Sequence, residues 1–405
     1  MPYRETRSLR KDKQKQAAAK ESSREKRRQA SLRRLARSAA ILALLAAAVV
    51  AGWAALGPVR LSAVTDFRKT VGRRGEGWPI ETGSGSVLQA APVGDSLTLL
   101  WPTALEIRNP AGYRGLHLKQ AYTDPAIRAC GPRLLQFDRA SGKLALLGKT
   151  GPLHEQELPR ALFCAGLNRR GDTAAACRAE GAASELAAWD TRGAKAFGWR
   201  CEREYPAALQ PAKNGRGLAA CLIGTDQAGI YARFVAFDYD KDDPVTDLRL
   251  PDAWLYGAAQ RGNSWLAVGD RAAYLIKSGA GAPEPYPYEG RALQAFSLDE
   301  RGWCAVLLED WDNRALLRVY DQRGALALEQ GFARRPQQLV CDRGSVYLRF
   351  DSALLRWNKR TGFRQGALPE GTQEAFPAGG AAYAITVRSV ERVPLKWHAA
   401  EEGLF

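Results

Sequence analysis

Leu317-Arg-Val-Tyr-Asp-Gln-Arg-Gly324 decides the fold, because the chain repeats it. A short apolar strand ends on a ring or an aliphatic side chain. A polar turn follows, opened by Asp and closed by Gly. The same mark stands at Leu105-Glu-Ile-Arg-Asn-Pro-Ala-Gly112, at Leu134-Leu-Gln-Phe-Asp-Arg-Ala-Ser-Gly142 and at Leu186-Ala-Ala-Trp-Asp-Thr-Arg-Gly193. It returns as Phe234-Val-Ala-Phe-Asp-Tyr-Asp240, where acids replace the Gly, as the degenerate Tyr274-Leu-Ile-Lys-Ser-Gly279, and as Leu355-Arg-Trp-Asn-Lys-Arg-Thr-Gly362. The physics is that of a hairpin: an Asp or Asn side chain caps its own turn, and Gly takes the positive φ that the turn needs.

From Asn109 through Asp138, Asp190, Asp238, Ser278, Asp321 and Asn358 the marks lie 29, 52, 48, 40, 43 and 37 residues apart. A four-stranded propeller blade takes roughly 40–50 residues. Further strand-like runs precede most marks, such as 160–166 with 173–178 and 292–297 with 303–308. The expected fold is therefore all-β, a β-propeller of about seven blades with eight as the alternative, over residues 79–397. A β-sandwich or a two-domain all-β chain is the competing architecture. The C-terminal strands, 381–388 among them, are expected to pair with strands from the start of the domain and close the ring, which removes open sheet edges.

Outward from the repeats lies Ser38 to Gly57, twenty residues without a charge, seventeen of them Ala, Ile, Leu, Val or Trp. A helix of that length covers a hydrocarbon core of roughly 30 Å. Thirty-seven residues precede it, and it is longer than the h-region of a cleaved signal peptide, so it reads as an uncleaved signal anchor with the bilayer as its partner. Residues 1–37 carry fourteen Lys/Arg against four Asp/Glu, whereas the remainder of a chain of net charge +16 carries only +6. The positive-inside rule puts this tail in the cytoplasm and the large domain on the outer side of the cytoplasmic membrane. The tail has too few large apolar residues to order itself, and its charge suits anionic lipid headgroups. With Tyr3 as its only ring, it is not built for specific nucleic-acid binding. Residues 58–78 form a juxtamembrane linker in which Leu61, Val64, Phe67 and Val71 recur at helical spacing, as an amphipathic helix on the membrane or a stalk packed on the domain. Residues 398–405 read as a C-terminal tail.

The basic tail, the single anchor, the Gly75-Glu76-Gly77-Trp78-Pro79 lead-in and the Phe-Asp, Trp-Asp and Tyr-Asp turns together resemble a family of membrane-anchored propeller proteins of Gram-positive bacteria. Its repeats are WD40- or quinoprotein-like, the YVTN kind included. No activity is assigned to that family, so the resemblance implies a fold and a location but no catalytic residue.

The search for chemistry returns little. Gly148-Lys149-Thr150 hints at a P-loop, but Gly142 is one residue too far back and no helix follows. Asp238, Asp240 and Asp242 have the odd-position acids of a calcium loop, without its central Gly and with Arg249 where the closing Glu belongs, so they read as a solvated turn. His117, His154 and His398 are scattered, and no nucleophile elbow is present. No catalytic residue, metal site or cofactor is expected. The seven Cys fall mostly at repeat-equivalent places: Cys130, Cys164 and Cys341 in first strands, Cys177, Cys221 and Cys304 in second strands, with Cys201 alone in a polar loop. That pattern suits small core hydrophobes. A turn centred between Arg170 and Gly171 would put Cys164 opposite Cys177 as adjacent, reduced, buried thiols. The expected function is a non-enzymatic module of the cell envelope that binds a protein or a glycan at a propeller face. The alternative is a hydrolase or lyase of cell-surface polymer, which would show converging acids or His at the channel mouth.

Overall fold

The computed structural model describes residues 43, 44, 62, 65, 66, 68–70, 72–83, 86–279 and 281–405. The tail 1–37 and the span 38–57 lie outside them, apart from the helical Ala43 and Leu44. Among the described residues no helix is long and apolar enough to cross a membrane.

Residues 58–405 form one compact unit, an eight-bladed propeller. Seven blades are four consecutive antiparallel strands, at 89–119, 125–157, 162–201, 205–251, 255–287, 293–332 and 338–367. The eighth takes its three inner strands from Glu374–Ala378, Ala381–Ile385 and Ser389–Pro394, and its outer strand from Ile80–Glu81 near the other end of the unit. Ile80 pairs with Val390 and Glu81 with Ser389, so the two ends meet and close the ring as expected, but through 389–394, whereas 381–385 is the middle strand and pairs only with its neighbours in blade 8.

The expected count of seven is corrected to eight. Six of the seven marks fall on turns between the third and fourth strands, while Asp138 closes the second strand of blade 2. Blade 8 has no turn between its third and fourth strands, because its fourth strand comes from residues 80–81. A count of such turns therefore stops one blade short.

The second and third strands of each blade alternate between two neighbouring blades, and both their faces are largely buried. Thr173–Cys177 is buried at every position, with Ala175 and Cys177 packed towards blade 2 and Ala174 and Ala176 towards blade 4. Eight apolar clusters result, one in each gap between blades. The first strands lie innermost and meet their counterparts around the channel. Side chains stitch them where no backbone ladder can. Gln89 accepts from Ile127 N and donates to Ile127 O, Ser297 Oγ accepts from Cys341 N, and Gln338 accepts from Ala375 N.

The marks work as their chemistry demands. Asn109 Oδ1 accepts from Ala111 N and Tyr113 N, Asp190 Oδ1 from Arg192 N and Ala194 N, and Asp321 Oδ1 from Arg323 N and Ala325 N. Gly112, Gly193 and Gly324 close these turns at φ 76, 80 and 85. A second recurrence was not foreseen. An Asp in the turn between strands 2 and 3 holds the segment that leads into its own blade. Asp138 accepts from Asp124 N, Asp270 from Trp254 N, and Asp351 from Gln337 Nε2.

Two boundaries change character. The linker packs on the propeller, as the stalk reading expects. Asp66 accepts from Lys149 N and Thr150 Oγ1, Asn109 Nδ2 donates to Thr70 O and Arg73 O, and Trp78 Nε1 donates to Pro110 O. Residues 398–405 are no loose tail. His398–Ala399 pairs with the outer strand of blade 7, Leu404 is buried between blades 6 and 7, and Phe405 packs on Phe332 and Phe363.

The Cys164–Cys177 register is corrected. Asn168 Oδ1 gathers the N–H groups of Arg170, Gly171 and Asp172, and Asn168 N donates to Asp172 O. The loop thus has three residues with Gly171 at φ 99, and a bulge follows between Leu162 and Cys164. Gly166 faces Ala174, Cys164 faces Ala176, and Leu162 faces Cys177. One residue of slip moves a side chain to the other face, so both thiols are buried in blade 3 but in different gaps. All seven cysteines are free, and burial pushes the Cys164, Cys221 and Cys304 thiols up to about 12. Cys201 is no loop residue. It ends the outer strand of blade 3, buried, with its Sγ 2.9 Å from Glu204 Oε2.

Candidate functional site: an aromatic arc on one face

The propeller has two unlike faces. One carries the turns between strands 1 and 2 and between strands 3 and 4. There the innermost turns lock together across the channel mouth. Arg169 of blade 3 pairs with Glu300 of blade 6, Lys213 N donates to Gln260 of blade 5, and Gly94 N donates to Gly131 O. Asp299 is spent on Arg301 N, Trp303 N and Gly344 N. This mouth is a plug of interlocked turns, in which Glu300 Oε2 and two guanidinium nitrogens of Arg261 stay buried without a hydrogen bond.

The opposite face carries the segments between blades and the turns between strands 2 and 3. Here blades 3, 4, 5 and 6, and only these among the eight, show a bulge between their first and second strands. A bulge leaves one residue unpaired and re-aims its side chain. The residues set free are Phe163, Ala207, Tyr256 and Gln294. Phe163 and Tyr256 are 38% and 43% exposed, and the strand-opening Tyr205 and Trp254 are 41% and 42% exposed. Phe163 meets Tyr205 edge to face across the blade 3–4 boundary at 5.6 Å, and Tyr256 stacks on Phe296 of blade 6 at 6.3 Å. Blades 3, 4 and 5 thus present an arc of rings along the mouth that the plug leaves alone, with the half-buried Phe296 of blade 6 at its end. A cleft of about 650 Å³ beside Leu88, Arg128 and Arg139 continues this face over blades 1 and 2.

The rings are held from behind. Glu204 lies in the segment just before Tyr205 and is buried. Its carboxylate accepts from Tyr231 Oη at 2.9 Å, Cys201 Sγ at 2.9 Å and Arg233 Nη1 at 3.2 Å, and its carbonyl accepts from Ser184 Oγ at 2.9 Å. Burial works to raise its pKa. The Cys201, Tyr231 and Arg233 donors outweigh burial and bring it below the ordinary glutamate value. Asp270 does the same for Trp254, accepting from its N–H and taking part in a reciprocal pair with its carbonyl. Such an arrangement offers ordered aromatic surface, the usual anchor of a protein interface.

The residues singled out in the sequence lie elsewhere. Asp238 and Asp240 are occupied within their own turn and by Arg216, and among the described residues no three His, Cys, Asp or Glu converge in metal-binding fashion. His117, His154 and His398 all sit on outer strands, far along each blade from the channel. His154 is half-buried against Gly193, and burial lowers its pKa despite Asp190 nearby. The arc is not among the features singled out in the sequence analysis. Its trace was present as aromatics recurring at the opening of first strands, at 163, 205, 254 and 256.

No family model matches the chain, and no curated protein matches it. Solved propellers do. A eukaryotic initiation factor structure is 11% identical, covers 80% of this chain and 90% of its own, and gives a TM-score of 0.52. The Dos1 propeller is 11% identical over 80% and 96%, with a TM-score of 0.50. The C-terminal WD40 domain of Sif2 is 10% identical over 75% and 91%, at 0.48. At these identities the likeness concerns the β-propeller fold alone.

Proposed function

We propose that this protein is a membrane-anchored interaction module whose propeller docks a partner protein across the aromatic arc, without doing chemistry on it. Residues 38–57 cross the cytoplasmic membrane once, the tail 1–37 stays inside against anionic headgroups, and the propeller works outside in the cell envelope. This also fits the membrane-anchored family that the chain resembles. The observation that carries the docking is a run of four exposed rings on one face, Phe163, Tyr205, Trp254 and Tyr256, two of them freed by bulges at 163 and 256. Rigid rings that need little further ordering are effective anchors, because association costs side-chain entropy. The plugged mouth supports docking over the hydrolase or lyase reading. Asp299 is spent on turn N–H groups, and one oxygen of Glu300 is spent on Arg169.

The test is a photo-crosslinking amino acid placed in the full chain in cells. The same adduct is expected from Tyr205, Trp254 and Tyr256, and none from Lys359 on the other face. Equal adducts from both faces, or none from the arc, would overturn the reading. Topology is tested separately with reporters fused after Phe405. Activity only outside the cytoplasm is expected, and a cytoplasm-only fluorescent reporter that lights up would sink the anchor orientation.

A further inference from the structure

A cleft of about 330 Å³ opens on the plugged face, away from the arc, where blades 7, 8 and 1 meet. Its wall is built by register. Tyr347 and Arg356 are direct partners on strands 2 and 3 of blade 7, so their side chains leave the sheet on the same side. Trp397, just past the third strand of blade 8, packs on both. Its ring lies 4.7 Å from the Arg356 guanidinium carbon and 6.4 Å from the Tyr347 ring. Arg356 Nε is buried there with no hydrogen-bond partner. Arg343 adds a second guanidinium from the turn between strands 1 and 2, at a φ of 49. Two carboxylates complete the lining: Asp342, 3.7 Å from Arg343 Nε, and Asp95, paired with Lys149.

This set is selective. Guanidiniums call for an oxyanion, and two rings offer a face for C–H groups. Two carboxylates accept hydroxyl donors but repel a compact dianion such as phosphate. We propose that this cleft binds an acidic sugar residue, its carboxylate on Arg356 and Arg343, its hydroxyls on Asp95 and Asp342, and its C–H face on the Tyr347–Trp397 wall. The site is independent of the protein-docking arc and stands or falls without it.

Calorimetry of the full chain in detergent decides, with glucuronate, glucose and inorganic phosphate as probes. Glucuronate is expected to bind, with glucose about tenfold weaker or more for want of the charge-assisted bonds, and phosphate no tighter than glucose. Arg356→Gln should weaken glucuronate by about tenfold or more. Because Arg356 also supports Trp397, Arg343→Ala on the exposed turn is the companion variant. It should weaken glucuronate in the same sense while moving the melting temperature less than Arg356→Gln does. Failure of glucuronate to bind, binding equal to glucose, tighter binding of phosphate, or indifference to Arg343→Ala would each overturn the proposal.

Discussion

Glu204 shows what one buried carboxylate does for the arc. Its pKa is lowered, so it binds fewer protons folded than unfolded below the ordinary glutamate value of 4.5. Its contribution is therefore present above that value and is lost as pH falls through the depressed pKa. Glu204→Gln should cost about 1–3 kcal/mol at neutral pH, since Arg233 and Tyr231 lose a charged acceptor in a buried place. Denaturant melts at pH 7 and pH 3 check this, and the gap between the two proteins should close at the lower pH. A gap that persists unchanged would mean that the side chain acts by shape alone. Asp342 works with the opposite sign. Burial raises its pKa, with Asp299 adding and Arg343 opposing, so the folded state prefers the proton. Stability from this group falls as pH rises above the ordinary aspartate value. Asp342→Asn should then raise the melting temperature at pH 7 and leave it unmoved at pH 3.

At the scale of the element, the linker is a clamp. Asn109 spends its amide on both sides of one turn, accepting from Ala111 and Tyr113 and donating to Thr70 and Arg73. Gly75 lies so close to the same turn that a Cβ on it would stand 2.4 Å from Gly112 C. Asn109→Ala should cost about 1–3 kcal/mol and free the linker. Trypsin should then cut after Arg68, Lys69 and Arg73 well before it opens the propeller, and an unchanged cleavage rate would contradict the clamp. Turns of this kind are legible in sequence, because an Asx cap and a closing Gly at positive φ are local chemistry, as at Asp190–Gly193 and Asp321–Gly324. The blade 3 register was not legible. A loop of two residues and a loop of three with Gly at its end differ by one position in Asn168–Asp172, and a bulge at Phe163 adds a second irregularity. Bulges leave no local signature, which is why the series of four, two of which turn Phe163 and Tyr256 outward, emerged only in three dimensions.

The whole molecule is held by one two-residue clasp and eight equivalent gaps. Removal of the clasp leaves the third strand of blade 8, Ser389–Pro394, as an open edge. A chain starting at residue 86 should melt below one starting at residue 58 by the equivalent of about 3 kcal/mol or more, since it also loses Trp78 from the blade 8–1 core. It should also aggregate on heating. Equal melting curves would show the clasp dispensable. The clasp had been legible as a requirement, since a closed ring needs one, while the blade count was not, because the clasped blade lacks the turn that announces the others. The clasp also sets a clock. Ile80 finds Val390 only after about 310 further residues have been joined, which at about 5–20 residues per second takes on the order of 15–60 s of synthesis. Throughout that interval the first-made strand has no partner, and blades 1 to 7 stack behind an unsealed flank. A factor that shelters the unsealed edge would therefore be needed until the last blade appears.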